Sequence, residues 1–481
     1  MAPLTPSVCA GVLSSALLLA AATAAAAVVE TAFEPLSAAD FEFDVDAWCE
    51  AGHDVFALDG DGLVYHYWRI GGGLQEVRRL HVNPDVEQCA VGPRRVFLHD
   101  PAFGVLAFDR SPEAQPLVRP VYIQPPAGRG SIVPEGFDLE QGPTGPVLRI
   151  HGEGREVRLA PPPPPARLEA PLVPAAVETE PVDNGGDAAD DSVILVGSES
   201  AWILGTDKQA GLRAYDLEGR QREFLPVGRL NNIDALPVGA DRFLVAASNR
   251  STIAIDLFDV DTRPLRILHR QSIPLAFEDP YGLCMGLRDD APHVFVGDTA
   301  GTVEAWRLGP EGDARRVSTL TFDSQTEGCV YDPSSGLLYV GEEAVGVWSI
   351  DLENGEKRLL HAVDGEVLVA DVEGLDIFHG EDTRYLLVSS QGDDSFVVYR
   401  LPDHRRLLKF RVGADRERGI DGASETDGIA VTQHALDGYP AGLLVVQDGY
   451  NVAPGENQNF KLVDWRAIES LLAAEAGRWA D

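Results

Sequence analysis

The sequence predicts an all-β protein: a six-bladed β-propeller preceded by a smaller, partial propeller-like β domain. A β-rich run, a turn of Gly, Asp or Asn, and a second β-rich run recur along the C-terminal two-thirds of the chain. Their starts lie roughly 40 to 60 residues apart, the spacing of four-stranded blades. Composition agrees, because 48 Gly and only 2 Met suit many short strands and tight turns better than long helices.

Residues 1–28 carry no charged side chain, and Val12 to Val29 is nearly all Ala, Leu and Val. With Ala-rich cleavage sites around Ala24 to Ala27, the segment reads as a secretory signal peptide. It lacks a basic leading region, and an uncleaved anchor is the competing reading. Cleavage makes the protein secreted or periplasmic, removes Cys9, and leaves no membrane attachment. The four remaining cysteines permit Cys49–Cys89 and Cys284–Cys329 bridges or buried free thiols.

Residues 29–159 read as the incomplete propeller-like domain. His53–Leu58 to Leu63–Trp68 is one strand pair, Arg95–Leu98 to Val105–Phe108 a second, and Pro146–Ile150 to Val157–Leu159 begins a third. The Asp59-Gly-Asp-Gly62 stretch reads as a hairpin turn rather than a calcium loop. Residues 160–175, with Pro161 to Pro165, exclude helix and central strand and read as a stiff spacer.

Residues 176–481 read as the propeller. The strand pairs are Ala201–Thr206 to Leu212–Asp216, Arg242–Ala247 to Ile253–Phe258, and His293–Gly297 to Thr302–Trp306. They continue with Leu337–Gly341 to Gly346–Ile350, Arg384–Ser389 to Ser395–Tyr399, and Gly442–Gln447 to Asn459–Val463. Six units can close into a ring that leaves no exposed strand edge. Trp465 to Trp479 follows helical spacing and is expected to pack as one short helix.

The formal charge of −37 and a pI near 4.5 exclude a nucleic-acid partner, since no basic surface exists to neutralise its backbone. Strong like charge also favours a monomer. Much of it is explained by a soluble, self-repelling surface, but the acids also fall in phase with the blades, often beside Gly. They include Glu178, Glu180, Asp187, Asp190, Asp191, Glu327, Glu342, Glu343, Asp371, Glu373, Asp421, Glu425, Asp427 and Asp448, with Asn451. Turns attract Asp and Gly on their own account, yet recurrence at equivalent blade ends places oxygen ligands around one channel mouth, as Ca²⁺ requires.

Ten short motifs then fall in one order over about Val177 to Leu472, roughly 60% of the chain. They are Glu178-Thr-Glu-Pro-Val-Asp183, Gly186-Asp-Ala-Ala-Asp-Asp191, Gly228-Arg-Leu-Asn-Asn-Ile-Asp234, Ala247-Ser-Asn-Arg250 and Tyr281-Gly282. The rest are Ser324-Gln-Thr-Glu-Gly328, Asp371-Val-Glu-Gly-Leu375, Ser389-Ser-Gln-Gly392, Thr426-Asp-Gly-Ile429 and Gln458-Asn-Phe-Lys-Leu462. In this order they resemble the β-propeller phytases, and the N-terminal part is similar to the incomplete extra domain of two-domain members.

The resemblance implies a calcium-dependent phosphomonoesterase acting on phytate or calcium-phytate (myo-inositol hexakisphosphate), through attack of a calcium-bound water on phosphorus. It implies that a neighbouring phosphate occupies a second subsite. Glu178, Asp190, Asp191, Glu327, Glu343, Asp371, Glu373 and Asp427 match positions around several Ca²⁺ ions and the cleaved phosphate. Glu327, Asp371, Glu373 and Glu343 are the catalytic set, while Asp421 and Asn451 match further ligands. Lys208, Arg250 and Tyr281 match phosphate-binding groups. Two departures stand out: Lys208-Gln209 replaces the family's Lys-Lys pair, and Gly297-Asp298 replaces a Gly-Lys turn. They imply weaker hold on the second phosphate, with hydrolysis retained. A lactonase-like calcium propeller and a non-catalytic binding propeller are the alternatives; neither requires cations aimed at phosphate.

Overall fold

The computed structural model describes residues 33–114, 121–123, 133–143, 145–162, 169–310, 312–380 and 383–478. The leader reading for residues 1–28, Cys9 and Trp479 lie outside these. Met1–Leu36 and Ser37–Asp481 separate as two units, and all the sheets lie in the second.

Strand Arg242–Asn249 illustrates why the sheets form. Phe243, Val245 and Ala247 point to one face and pack with Leu204, Leu212 and Leu195 of the preceding sheet. Leu244 and Ala246 point to the other and pack with Met285 and Val294 of the following sheet. A strand covered on both faces is apolar throughout, and each large aliphatic or aromatic side chain so buried contributes about 2 kcal/mol. Among the described residues the protein is all-β, with largely antiparallel sheets, three short 3-10 turns and the single α-helix Trp465–Arg478.

Four consecutive sheets have the same meander. They begin with the strands Ala189–Val196, Leu230–Gly239, Pro280–Arg288 and Thr326–Asp332. A fifth begins with Val372–His379, and its outer strand Arg405–Gly413 pairs in parallel with Leu172–Pro174. The sixth combines Ile429–Thr432, Leu443–Asp448 and Asn459–Asp464 with Val177–Glu178 from the front of the domain. Each first strand lies beside the first strand of the next sheet, and Ile429–Thr432 lies beside Ala189–Val196.

The N-terminal part has two four-stranded sheets, starting at Ala47–Ala51 and Gln88–Val91, and a three-stranded one from Gly136–Gly142 to Arg155–Leu159. On the third, Arg149 pairs with Asp138 and Glu140, a polar face of the kind that ends a stack of repeats. The Asp59 stretch is a turn: its Oδ1 accepts from the amides of Asp61 and Leu63, both at 2.9 Å. Both disulfides, Cys49–Cys89 and Cys284–Cys329, are formed.

The described ends of the proline-rich run are both anchored. Pro162 accepts a hydrogen bond from Arg95 Nη1 at 2.7 Å, and Leu172–Pro174 is an edge strand. An extended chain already has the strand's shape, and proline is tolerated at an edge. No helix among the described residues is long and apolar enough to cross a membrane.

Candidate active site

Five of the six first strands carry a one-residue bulge at the same place. The register slips at Asp190–Asp191, Asn231–Asn232, Tyr281–Gly282, Glu327–Gly328 and Glu373–Gly374. The sixth strand begins immediately after Asp427-Gly428. A bulge bends its strand and re-aims one side chain. Here the repeated device gathers Asp190, Tyr281, Glu327, Glu373 and Asp427.

Glycine makes the close spacing possible. A Cβ at Gly282 would stand 1.9 Å from the Glu327 carbonyl oxygen, and one at Gly328 would stand 2.2 Å from that of Glu373. At Gly428 it would meet Asp191 Oδ1 at 2.1 Å. The acid-Gly pairs in the sequence are thus two halves of one function: the acid faces the mouth and the glycine admits the next sheet.

Glu327, Glu343 and Glu373 offer carboxylate oxygens all within 4.8 Å of one another. They line a cavity of about 710 Å³ with Asp371, Asp427, Lys208, Tyr281, Gln391 and Asn451, among others. Asp190 Oδ2 and Glu373 Oε2 are buried and have no partner among the described residues, while Asp190 Oδ1 has only the Lys208 ammonium beside it. Burial raises the carboxyls of Asp190, Glu327 and Glu373. Burial and the Glu327 charge push Glu343 up to about 8. Buried, unpartnered, hard oxygen donors fit a divalent cation such as Ca²⁺.

Lys208 Nζ lies 2.8 Å from Asp427 Oδ2, 2.9 Å from Asp187 and 3.2 Å from Asp190. Burial pulls its ammonium down, but Asp190, Asp427, Glu327 and Asp187 outweigh it and hold the group charged. Arg250 forks onto Asp279, with Nε at 2.8 Å, and its guanidinium lies 5.2 Å from the Tyr281 ring centre. Asn231 connects Arg250 to the acids, accepting from Nη1 at 3.3 Å and donating to Glu327 Oε1 at 3.0 Å.

Three sequence-predicted ligands stand elsewhere or serve another contact. Glu178 and Asp421 gather with Asp448 around the fully buried Lys461 ammonium, Glu178 at 2.5 Å and Asp448 at 3.3 Å. Asp191 accepts from the amides of Ser192 and Ile233, at 2.8 and 3.1 Å, and latches one sheet to the next. Asn451 lines the cavity wall with its Oδ1 buried and unpartnered among the described residues. Neither departure residue lines the cavity: Gln209 Nε2 staples Gly185 O and Asp187 O, and Asp298 caps its own turn.

Sequence reasoning did not single out Asn231, Gln325, Asp279, Gln391, Tyr450 or Lys461. Gln325 donates to Glu343 at 2.6 Å and Gln391 to Asp427 at 2.5 Å. All but Asp279 and Tyr450 lie inside the quoted motifs, so the motif neighbours themselves were the available signal.

Bulged first strands that converge carboxylates and a buried lysine define an all-β protein with a cation-demanding acidic centre. The family described as Phytase matches residues 166–477. The chain is 36% identical over 327 residues to a 3-phytase of Bacillus subtilis (strain 168), covering 62% of this chain and 85% of that one. Among solved structures, it resembles a luciferin-regenerating enzyme at TM-score 0.40 and 12% identity, over 59% of this chain and 95% of that one. It also resembles Saccharomyces cerevisiae Sqt1 at TM-score 0.32 and 11% identity, over 74% and 96%. The chain belongs to the phytase family, and is therefore a phosphoric monoester hydrolase.

Proposed function

We propose that the chain is a calcium-dependent phytase that hydrolyses phytate to lower inositol phosphates and phosphate at the acid-lined cavity. One observation carries this reading: Asp190 Oδ2 and Glu373 Oε2 are buried and unpartnered among the described residues, beside Glu327, Glu343 and the charged Lys208. Asp190, Glu327, Glu343, Asp371, Glu373 and Asp427 would hold the cations. When bound, Ca²⁺ supplies Lewis-acid chemistry, offsetting phosphate charge and making water a better nucleophile at neutral pH.

The chain's own residues do the rest. Lys208 presents a point charge to a phosphate oxygen, and Arg250, oriented by Asp279 and Asn231, presents a planar fork. Gln325 and Gln391 fix the Glu343 and Asp427 carboxylates, so little reorganisation is needed as substrate arrives. Glu178, Asp421 and Asp448 form a second oxygen cluster, already part-neutralised by Lys461, at the seam between the two ends of the domain, while Asn451 offers its Oδ1 from the cavity wall.

The same reading includes a closed six-bladed propeller over residues 176–481, supported by the adjacency of the first and last inner strands. It includes the partial domain over 29–159, the connector over 160–175, a cleaved leader, and a secreted or periplasmic monomer. Phosphate release from phytate, with calcium and with excess chelator, tests it. Release that needs calcium and is abolished in Glu327→Ala supports the assignment; release that survives chelation removes the metal role.

A further inference from the structure

Two loops between the strands of the last two sheets are trapped between the N-terminal part and the cavity. Loop 414–422 carries Arg416, whose Nε lies 3.1 to 3.2 Å from the Asp54 carboxylate and whose guanidinium lies 5.7 Å from the Trp68 ring centre. Asp54 is fully buried and built to receive it. The same carboxylate accepts from His66 Nε2 at 2.8 Å, Trp68 Nε1 at 2.9 Å and Arg110 Nε at 2.6 Å. Farther along the loop, Gly419 is pressed on Ile70, where a Cβ would stand 2.6 Å from Cδ1.

Loop 449–458 is held by the same surface. Ala453 is fully buried in a cluster with Trp68 and Val77. Asp421 ties the two loops together, accepting from the Val452 amide at 2.6 Å. On its opposite side this second loop is a wall of the cavity, through Gly449 to Val452 and Glu456 to Gln458. The N-terminal part therefore reaches the cavity wall by two routes, directly at Ala453 and through loop 414–422 at Asp421, and Asp54, Trp68 and Ala453 are all fully buried.

We propose that the first N-terminal sheet is a brace that sets the wall of the hydrolytic cavity, with Arg416 as the positioning residue that couples the two. This rests on the cavity being the catalytic centre. Such a brace acts by restricting the loop ensemble, since loops with few buried contacts open independently of the core. Arg416 touches no substrate. Its loss frees residues 414–422, then Asp421 and Val452, and so widens the wall that meets a highly charged ester.

Deuterium uptake and steady-state kinetics on the full chain test this in Arg416→Gln, Arg416→Lys and, as a control, Arg222→Gln, whose exposed guanidinium pairs with Asp216 away from both loops. Arg416→Gln is expected to speed exchange in residues 449–458 about tenfold. It is expected to raise KM for phytate roughly threefold or more with kcat little changed. Arg416→Lys should recover part of both effects, and Arg222→Gln should change neither. Should Arg416→Gln fail to fold, Trp68→Phe removes the indole donor to Asp54 at little cost in volume and is read the same way. Unchanged exchange and unchanged KM in the folded variant overturn the brace. A wild-type chain that releases no phosphate overturns the functional reading instead, and the exchange result still decides the brace.

Discussion

Lys208 Nζ and Asp427 Oδ2 meet at 2.8 Å although 219 residues separate them in sequence. The lysine immediately follows Ala201–Asp207, the second strand of the sheet that begins at Ala189, and the aspartate stands two residues before Ile429–Thr432 of the last sheet. One ion pair thus spans the junction, and the same ammonium lies 3.2 Å from Asp190 Oδ1. Lys208 neutralises acids that repel one another when no cation is present. Lys208→Met should lower stability in chelator by roughly 3–5 kcal/mol, the cost of leaving buried charges unpaired. Calcium should restore much of it. Equal losses with and without calcium in urea titrations would refute the compensating role.

Glu327 interacts with Glu373, Glu343 and Asn231 at the centre of the acids. Glu327→Gln keeps the shape and the contact with Asn231 but removes the charge. Phosphate release should fall by about 100-fold or more, the usual effect of removing one preorganised electrostatic group. Melting temperature in chelator should hold or rise, because a repelling carboxylate has gone. Full activity in this variant would place the chemistry elsewhere.

Gly328→Ala should push a methyl group into the Glu373 carbonyl, 2.2 Å away. The expected cost is about 1–3 kcal/mol, with activity lost before stability because the bulge that aims Glu373 is displaced. Gly455→Ala is the control, with nothing within 4 Å of its added carbon. Comparing melting and phosphate release in both variants separates a general glycine effect from this contact.

Burial pushes Asp234 up to about 6 and Asp376 up to about 7. Both exceed the ordinary value of 3.8, so the folded state binds their protons more tightly than the unfolded chain. The stability they contribute is complete below that value and is lost as pH rises through 6 and 7. In chelator, melting temperature should therefore fall between pH 5 and 8. Asp376→Asn should flatten part of that slope; parallel wild-type and variant curves would exclude this residue as a source.

Glu343 titrates near 8 because burial and the Glu327 charge favour its neutral form. A cation requires the carboxylate, so calcium binding should release protons and tighten from pH 6 to 8. Calorimetry in two buffers of different ionisation enthalpy measures the release. Identical heats in both would remove Glu343 from the ligand set.

The strands most legible in the sequence are the second and third of each sheet, such as Arg242–Asn249 and Ala254–Thr262. Both faces of these strands are covered, so their apolar runs carry little ambiguity. The first strands were not legible as strands, because their bulges interrupt the alternation and fill it with Asn231, Asn232, Glu327 and Glu373. The acid-Gly pairs did point to the site. Their neighbours' uses did not follow: nothing local distinguishes Asp191, which latches two sheets, from Asp190, which faces Lys208 and keeps Oδ2 unpartnered among the described residues. The capture of Glu178 and Asp421 by Lys461 also depends on residues about 40 and 283 positions apart, beyond any local pattern.

Val177–Glu178 pairs with Asn459–Asp464, so the last sheet takes strands from both ends of the domain. During synthesis, residues 189–413 can form sheets while Asp190 still lacks Asp427 as a neighbour. Glu327, Glu343 and Glu373 can already meet at that stage, but Asp427 joins them and pairs with Lys208 only when the chain's tail returns to its front. A truncated or stalled chain therefore carries most of the fold but not the completed centre, and assembly of the domain is all-or-none for chemistry although it is stepwise for structure.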